Sequence, residues 1–145
     1  KLVKNTGYPG MKVLQFAFDS REESDYLPHN YSSNSVVYTG THDNDTIKGW
    51  YRALSKPDKK LSIAYLNNAE TKEEDISWDF IRLAQASVAR ICIIPIQDYL
   101  GLGSEARINR PSTVGENWKW RMKERDFNKK IIKKVYEMTK LYGRV

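Results

Sequence analysis

Ser35-Val36-Val37-Tyr38-Thr39-Gly40-Thr41-His42-Asp43-Asn44-Asp45-Thr46 is the stretch whose reading decides the fold. Its opening, rich in valine and ending in tyrosine, reads as a buried strand. A helical pattern begins near Thr46. The glycine, the histidine and both aspartates therefore lie on the turn that joins a strand end to a helix start. A rigid strand holds such residues in place while the turn leaves them open to a ligand. In a barrel of alternating strands and helices, chemistry sits at the C-terminal strand ends. Asp43 is the residue to explain.

The flanking chain repeats the same alternation. Upstream, Lys12–Phe18 is almost uninterrupted in apolar and neutral residues, as in a strand buried on both faces, and Asp19 falls just past its end. Residues 20–35 are polar and broken by Pro28, with room for a short helix around Arg21–Leu27. Downstream, Asp45 or Thr46 caps a helix to about Leu54, Lys56-Pro57-Asp58 interrupts, and Leu61–Asn67 carries a weaker helical pattern. Thr71-Lys72-Glu73-Glu74 spells a capping box before the stripe Ile76, Phe80, Leu83, Ala84, Ser87. Arg90–Ile96 reads as a third buried strand, with Gln97-Asp98 beyond it. Residues 104–118 lack a period and read as an ordered loop. A last helix begins near Glu124 or Asp126, carries Phe127, Ile131, Val135, Met138 and Tyr142 on one stripe, and ends at Gly143. The fold class is α/β with parallel strands. Three strands are far too few for a barrel, which needs about 250 residues. With its start at Lys1, the chain is expected to be a piece of something longer.

Composition narrows the function. The 145 residues are 40% hydrophobic and 29% charged, a globular balance. The net charge of +6 comes from Lys59-Lys60, from Lys119 through Arg125, and from Lys129-Lys130 and Lys133-Lys134. In the C-terminal stretch these alternate with an apolar stripe, the pattern of a solvated helix face, and no nucleic-acid motif accompanies them. The single cysteine, Cys92, lies in an apolar run and reads as a buried thiol in a reducing compartment. No apolar run approaches the roughly 18 residues of a membrane span, so no membrane partner is expected. His42, Asp43 and Asp45 crowd too closely on one turn to converge on one metal ion, and no metal is expected.

Five motifs together carry a resemblance. They are Pro9–Phe18; Leu27-Pro28-His29-Asn30-Tyr31; Tyr38–Thr46; Pro95–Leu102; and Arg107-Ile108-Asn109 with Asn117-Trp118-Lys119-Trp120-Arg121. In this order, across nearly the whole chain, they resemble the 4-α-glucanotransferases (amylomaltase or disproportionating enzyme, glycoside hydrolase family seventy-seven). The resemblance implies the C-terminal part of a (β/α)8 barrel, residues 1–145 supplying strands six to eight with their helices. It implies transfer of α-1,4-glucan segments between malto-oligosaccharides, with retention of configuration and no cofactor. It also implies a cytoplasmic enzyme, or a plastid one if the source is a plant.

A retaining transfer uses a nucleophile and an acid/base carboxyl roughly 5 Å apart. The family takes both from motifs after strands four and five, and neither motif occurs in this sequence. The chain alone is thus expected to be inactive, to need the N-terminal remainder of its barrel as partner, and to self-associate without it. The resemblance assigns Asp43 as the carboxylate that stabilises the transition state, with His42, Asp19 and Asn109 as sugar-binding residues. Asp98 is read as a buried hydrogen-bonding strut, and Ser112 as standing where a glycine is expected. Trp118 and Trp120 could offer stacking faces to sugar rings, but are read as core. The alternative is a domain that holds malto-oligosaccharide without turning it over.

Overall fold

The computed structural model describes residues 6–145. Three strands, β1 (Gly10–Val13), β2 (Ser35–Tyr38) and β3 (Ile91–Ile93), form one parallel sheet in chain order. In register, Lys12 faces Val37 and Val37 faces Cys92. Between β2 and β3 run α1 (Ile47–Ala53), α2 (Lys56–Leu66) and α3 (Ile76–Ala86). A one-turn helix, α4 (Ile96–Tyr99), follows β3, and α5 (Lys129–Leu141) lies near the C-terminus. The strand order never reverses, unlike that of a doubly wound sheet, so no switch-point crevice forms and the strand ends line up side by side.

The core lies on one face of the sheet. Leu14, Phe18, Val37, Ile47, Ile76, Phe80 and Ala84 are buried there. Phe80 sits at its centre, edge-on to Phe18 at 5.3 Å and to Trp50 at 5.2 Å between ring centroids. On the opposite face Met11, Ile91 and Ile93 are 57%, 45% and 45% exposed. Burial on both faces, expected from the apolar runs, is therefore found on one: the second face is apolar, but no described segment covers it. Cys92 is half-buried rather than fully enclosed, and burial pushes its thiol up to about 11.

Several local expectations are corrected. The apolar run 12–18 stays extended only to Val13 and then turns through a 3-10 helix at Leu14–Phe16; its hydrophobicity reflects burial of Leu14, Ala17 and Phe18 rather than extension. Residues 21–27 form turns instead of a helix, and a 3-10 turn follows at Pro28–Asn30. Lys56-Pro57-Asp58 opens α2 rather than breaking the chain, because Ser55 caps it and Pro57 sits in the first turn, where its missing N–H costs nothing. The Thr71 capping box does not form: the Thr71 hydroxyl donates to Asp79 Oδ2 at 2.6 Å, and α3 starts at Ile76. Strand β3 is shorter than Arg90–Ile96 because Pro95 turns the chain into α4. Helix α5 starts at Lys129, where Asn128 accepts from the Lys130 and Ile131 N–H groups; the residues before it make a 3-10 turn, Glu124–Asp126. Its end is as expected: Gly143 has φ +62°, and Gly143 and Arg144 donate back to the Lys140 and Thr139 carbonyls. Among the described residues no helix is long and apolar enough to cross a membrane.

Because Phe80 is fully buried among aromatic rings, Phe80→Ala is expected to cost about 3–5 kcal/mol of stability, measured by urea unfolding. A loss under about 1 kcal/mol, the value of a surface change, would contradict this placement of the core.

Candidate functional site

The turn after β2 rests on a buried carboxylate. Asp98, 1% exposed at the start of α4, accepts from the Thr39 hydroxyl (2.6 Å) and from the Ile47 N–H (2.8 Å). One side chain thus ties the end of β2 to the first turn of α1, as the strut reading expects. Thr46 completes the helix start by accepting from the Gly49 N–H. Asp45 is engaged as well, accepting from Ser104 Oγ (2.7 Å) and the Thr46 N–H (2.8 Å). From the 3-10 turn after β1, the Gln15 amide donates to the Asp45 carbonyl at 2.7 Å. A Cβ at Gly40 would come within 2.5 Å of that amide, so only glycine lets Gln15 reach the turn. Gly49 serves α1 likewise, since a Cβ there would strike Ser104 and Asp45.

Between these anchors the turn closes on itself and presents Asp43. Asn44 Oδ1 accepts from the Thr41 N–H (2.9 Å) and hydroxyl (2.7 Å). Asp43 Oδ1 accepts from the Asn109 amide at 2.6 Å, and His42 Nε2 lies 3.3 Å from the same oxygen. Arg107 braces the backbone, donating to the Asp43 carbonyl (2.7 Å) and to the Asn109 carbonyl (2.9 Å). The Asn109 N–H donates to the His42 carbonyl at 3.1 Å. Among the described residues no hydrogen bond reaches Asp43 Oδ2, and the side chain is 47% exposed. The result is a carboxylate fixed by one oxygen and open at the other, beside an imidazole. Below it, a concavity of about 410 Å³ is lined by Met11, Tyr38, Ile93 and Pro95.

The structure thus brings Asp43, His42 and Asn109 together, and Asn109 holds Asp43 directly. Asp19 stands in another network. It accepts two hydrogen bonds from the Arg21 guanidinium (2.6 and 2.8 Å) and one from the Arg21 N–H, which together draw its carboxyl down to about 2. Among the described residues it makes no hydrogen bond to the Asp43 group. Trp118 and Trp120 are not core residues: Trp118 is 55% exposed and Trp120 is half-buried. The Trp118 ring lies 5.1 Å from that of His42. Sequence reasoning gives Arg107 and Gln15 no role of their own, because their contacts to Asp43 and Asp45 join distant parts of the chain and leave no local signature; Trp118 is open to a stacking reading there but is weighed as core. Ser112 does occupy a left-handed position, φ +62°, which accounts for the glycine expected there.

An open parallel sheet with a carboxylate, an imidazole and an amide gathered beyond its strand ends belongs to the α/β class that places its chemistry there. The family model described as 4-alpha-glucanotransferase matches residues 1–127, and the chain belongs to that family. It is 49% identical over 142 residues to the 4-alpha-glucanotransferase of Clostridium butyricum, covering 97% of this chain and 29% of that protein. Against the chloroplastic/amyloplastic enzyme of Solanum tuberosum it is 49% identical over 148 residues, 100% of this chain and 25% of that protein. Amylomaltase from Streptococcus agalactiae in complex with acarbose superposes with a TM-score of 0.93 at 36% identity, over 99% of this chain and 29% of that one. The chain therefore spans between a quarter and a third of the length of these relatives, and its three strands are part of a larger fold.

Burial pushes the Asp98 carboxyl up to about 6, against the pull of its Thr39 and Ile47 hydrogen bonds. The folded chain then holds this proton more tightly than the unfolded chain, whose aspartate titrates near 3.8. The resulting stabilisation is complete below the unfolded value and is lost as pH rises through the folded one. Between about pH 4 and 6, the protein is expected to lose up to about 3 kcal/mol of stability relative to Asp98→Asn, at about 1.4 kcal/mol per pH unit. Urea unfolding of both proteins across that range reads the difference, and parallel pH profiles would contradict it.

Proposed function

We propose that this chain is the C-terminal segment, strands six to eight with their helices, of a (β/α)8 4-α-glucanotransferase that moves α-1,4-glucan segments between malto-oligosaccharides. The observation that carries the reading is the Asp43 carboxylate, pinned at Oδ1 by Asn109 and open at Oδ2, in a chain of this family. The family match supports the reaction class. The site geometry supports the role of the residues. The upstream remainder of the barrel supplies the nucleophile and the acid/base carboxyl, and the present segment supplies the third carboxylate. The uncovered face bearing Met11, Ile91 and Ile93 supports the incomplete-barrel reading, because in a closed barrel that face points into the filled interior. The compartment is the cytoplasm, or a plastid in a plant source; the potato relative is named as chloroplastic/amyloplastic.

Asp43 acts on charge that appears only as the sugar ring distorts. In a retaining transfer the anomeric carbon becomes oxocarbenium-like, and hydrogen bonds to a ring hydroxyl strengthen at that moment. A fixed carboxylate accepting that hydroxyl through its open oxygen favours the transition state over the ground state, which raises kcat. Pinning Oδ1 to Asn109 removes the cost of orienting the group during reaction. His42, next to the same carboxylate, donates to the same sugar. Asp19 remains a donor-sugar contact in this reading, reached from its own turn past β1.

Glucose release from maltotriose by the full-length protein carrying this segment tests the proposal. Asp43→Asn is expected to lose at least about a hundredfold in rate, roughly 2.7 kcal/mol, with the fold intact. An active parent with a nearly normal variant would remove Asp43 from the role, and a folded parent that binds maltotriose without turnover would favour the sugar-binding alternative. Residues 1–145 expressed alone are expected to show no turnover and to associate through the exposed sheet face and open strand edges. Light scattering that reports a monodisperse monomer would contradict the association.

A further inference from the structure

Trp118 is held in a manner that packing does not require. Its backbone has φ +64°, a left-handed conformation that glycine or asparagine adopts at far lower cost than tryptophan. Its N–H donates to the Ile108 carbonyl at 2.8 Å, and the Arg121 guanidinium donates to the Trp118 and Trp120 carbonyls at 2.7 and 2.8 Å. Asn117 locks the preceding loop, accepting from the Arg110 N–H and donating to the Thr113 carbonyl. This bracing does not bury the ring: Trp118 stays 55% exposed in this segment, with its ring inclined 35° to that of His42. A tryptophan kept for stability is buried, and a left-handed turn kept for shape takes glycine. A braced, exposed indole next to the carboxylate that would hold a sugar hydroxyl fits a ligand contact instead.

We propose that Trp118 is the platform on which one glucose ring of the bound α-1,4-glucan stacks, fixing the chain beside Asp43. The inference rests on the proposed function and adds a specificity residue to it. One side of a glucose ring is lined by C–H groups while its rim carries hydroxyls. An aromatic face therefore takes the apolar side, as His42, Asn109 and Asp43 reach the rim. The contact is made equally in the ground state and the transition state, so it lowers KM and leaves kcat largely alone.

The test uses the full-length protein with Trp118→Leu, Trp118→Gly and Trp118→Phe. It reads maltotriose kinetics, the affinity for acarbose by calorimetry, and thermal stability. Leucine and glycine are expected to raise KM and weaken acarbose about tenfold, with kcat within about twofold and phenylalanine close to wild type. Glycine, which suits the left-handed backbone, is expected to keep or raise the melting temperature, an outcome that a structural role for the indole would reverse. Unchanged KM and acarbose affinity in the leucine and glycine variants, or a fall in kcat alone, would overturn the platform. A parent that binds acarbose but releases no glucose would sink the proposed activity, and the acarbose affinities of the variants would still decide the platform.

Discussion

One buried carboxylate carries the geometry of the strand ends. Asp98 has almost no contact with water, yet both of its oxygens accept hydrogen bonds, one from the end of β2 and one from the start of α1. A buried carboxylate without such partners would cost several kcal/mol, so the three groups must form together or not at all. This coupling ties the chain on either side of the turn to one point on α4. The seven residues between Thr39 and Ile47 then have little freedom left, and the inner contacts of Asn44 and Asp45 set the direction of Asp43. Close approach by Gln15 and Ser104 past Gly40 and Gly49 adds support from the turn after β1 and from the segment after α4.

The same framework separates two kinds of work. The helix-covered side of the sheet stores the stability, in rings packed around Phe80. The strand ends hold polar groups in the arrangement the proposed chemistry needs, one oxygen of Asp43 tied and the other available. The uncovered apolar face belongs to neither: it is a surface built for strands that this segment does not contain, in the proposed reading. Division of a catalytic centre among several strand ends is what a barrel allows, and a quarter of its length can therefore carry a finished portion of the site without the whole reaction.

Much of this was legible in the sequence where local chemistry decides the outcome. The strand at Ser35–Tyr38, the Thr46 cap, the stripe through Ile76 and Phe80, and the Gly143 stop all follow from periodicity and capping. Hydrophobicity marked the core face but neither the open second face, where Ile91 and Ile93 stay 45% exposed, nor the end of extension: the run through Phe18 hid a 3-10 turn and the run through Ile96 hid a helix start at Pro95. For the site, the motif residues His42, Asp43 and Asn109 converge. The brace from Arg107 to Asp43 and the approach of Trp118 to His42 did not read out, because each depends on residues more than sixty positions apart meeting in space. Asp19 does not sit at the strand end, since β1 stops at Val13 and a 3-10 turn follows, and its carboxylate is drawn to Arg21 two residues on, a local pairing that the motif view overlooked.

The central claim is that the open oxygen of Asp43 receives a sugar hydroxyl inside a closed barrel. A crystal structure of the full-length protein with acarbose tests it most directly, since a relative is known in that complex. The account predicts an Asp43 carboxylate oxygen within about 3 Å of an acarbose hydroxyl, Asn109 still bonded to Oδ1, and the free edges of β1 and β3 paired with strands from the rest of the chain. Acarbose bound away from this turn, or an Asp43 that touches no sugar atom while the ligand occupies the barrel mouth, would contradict it.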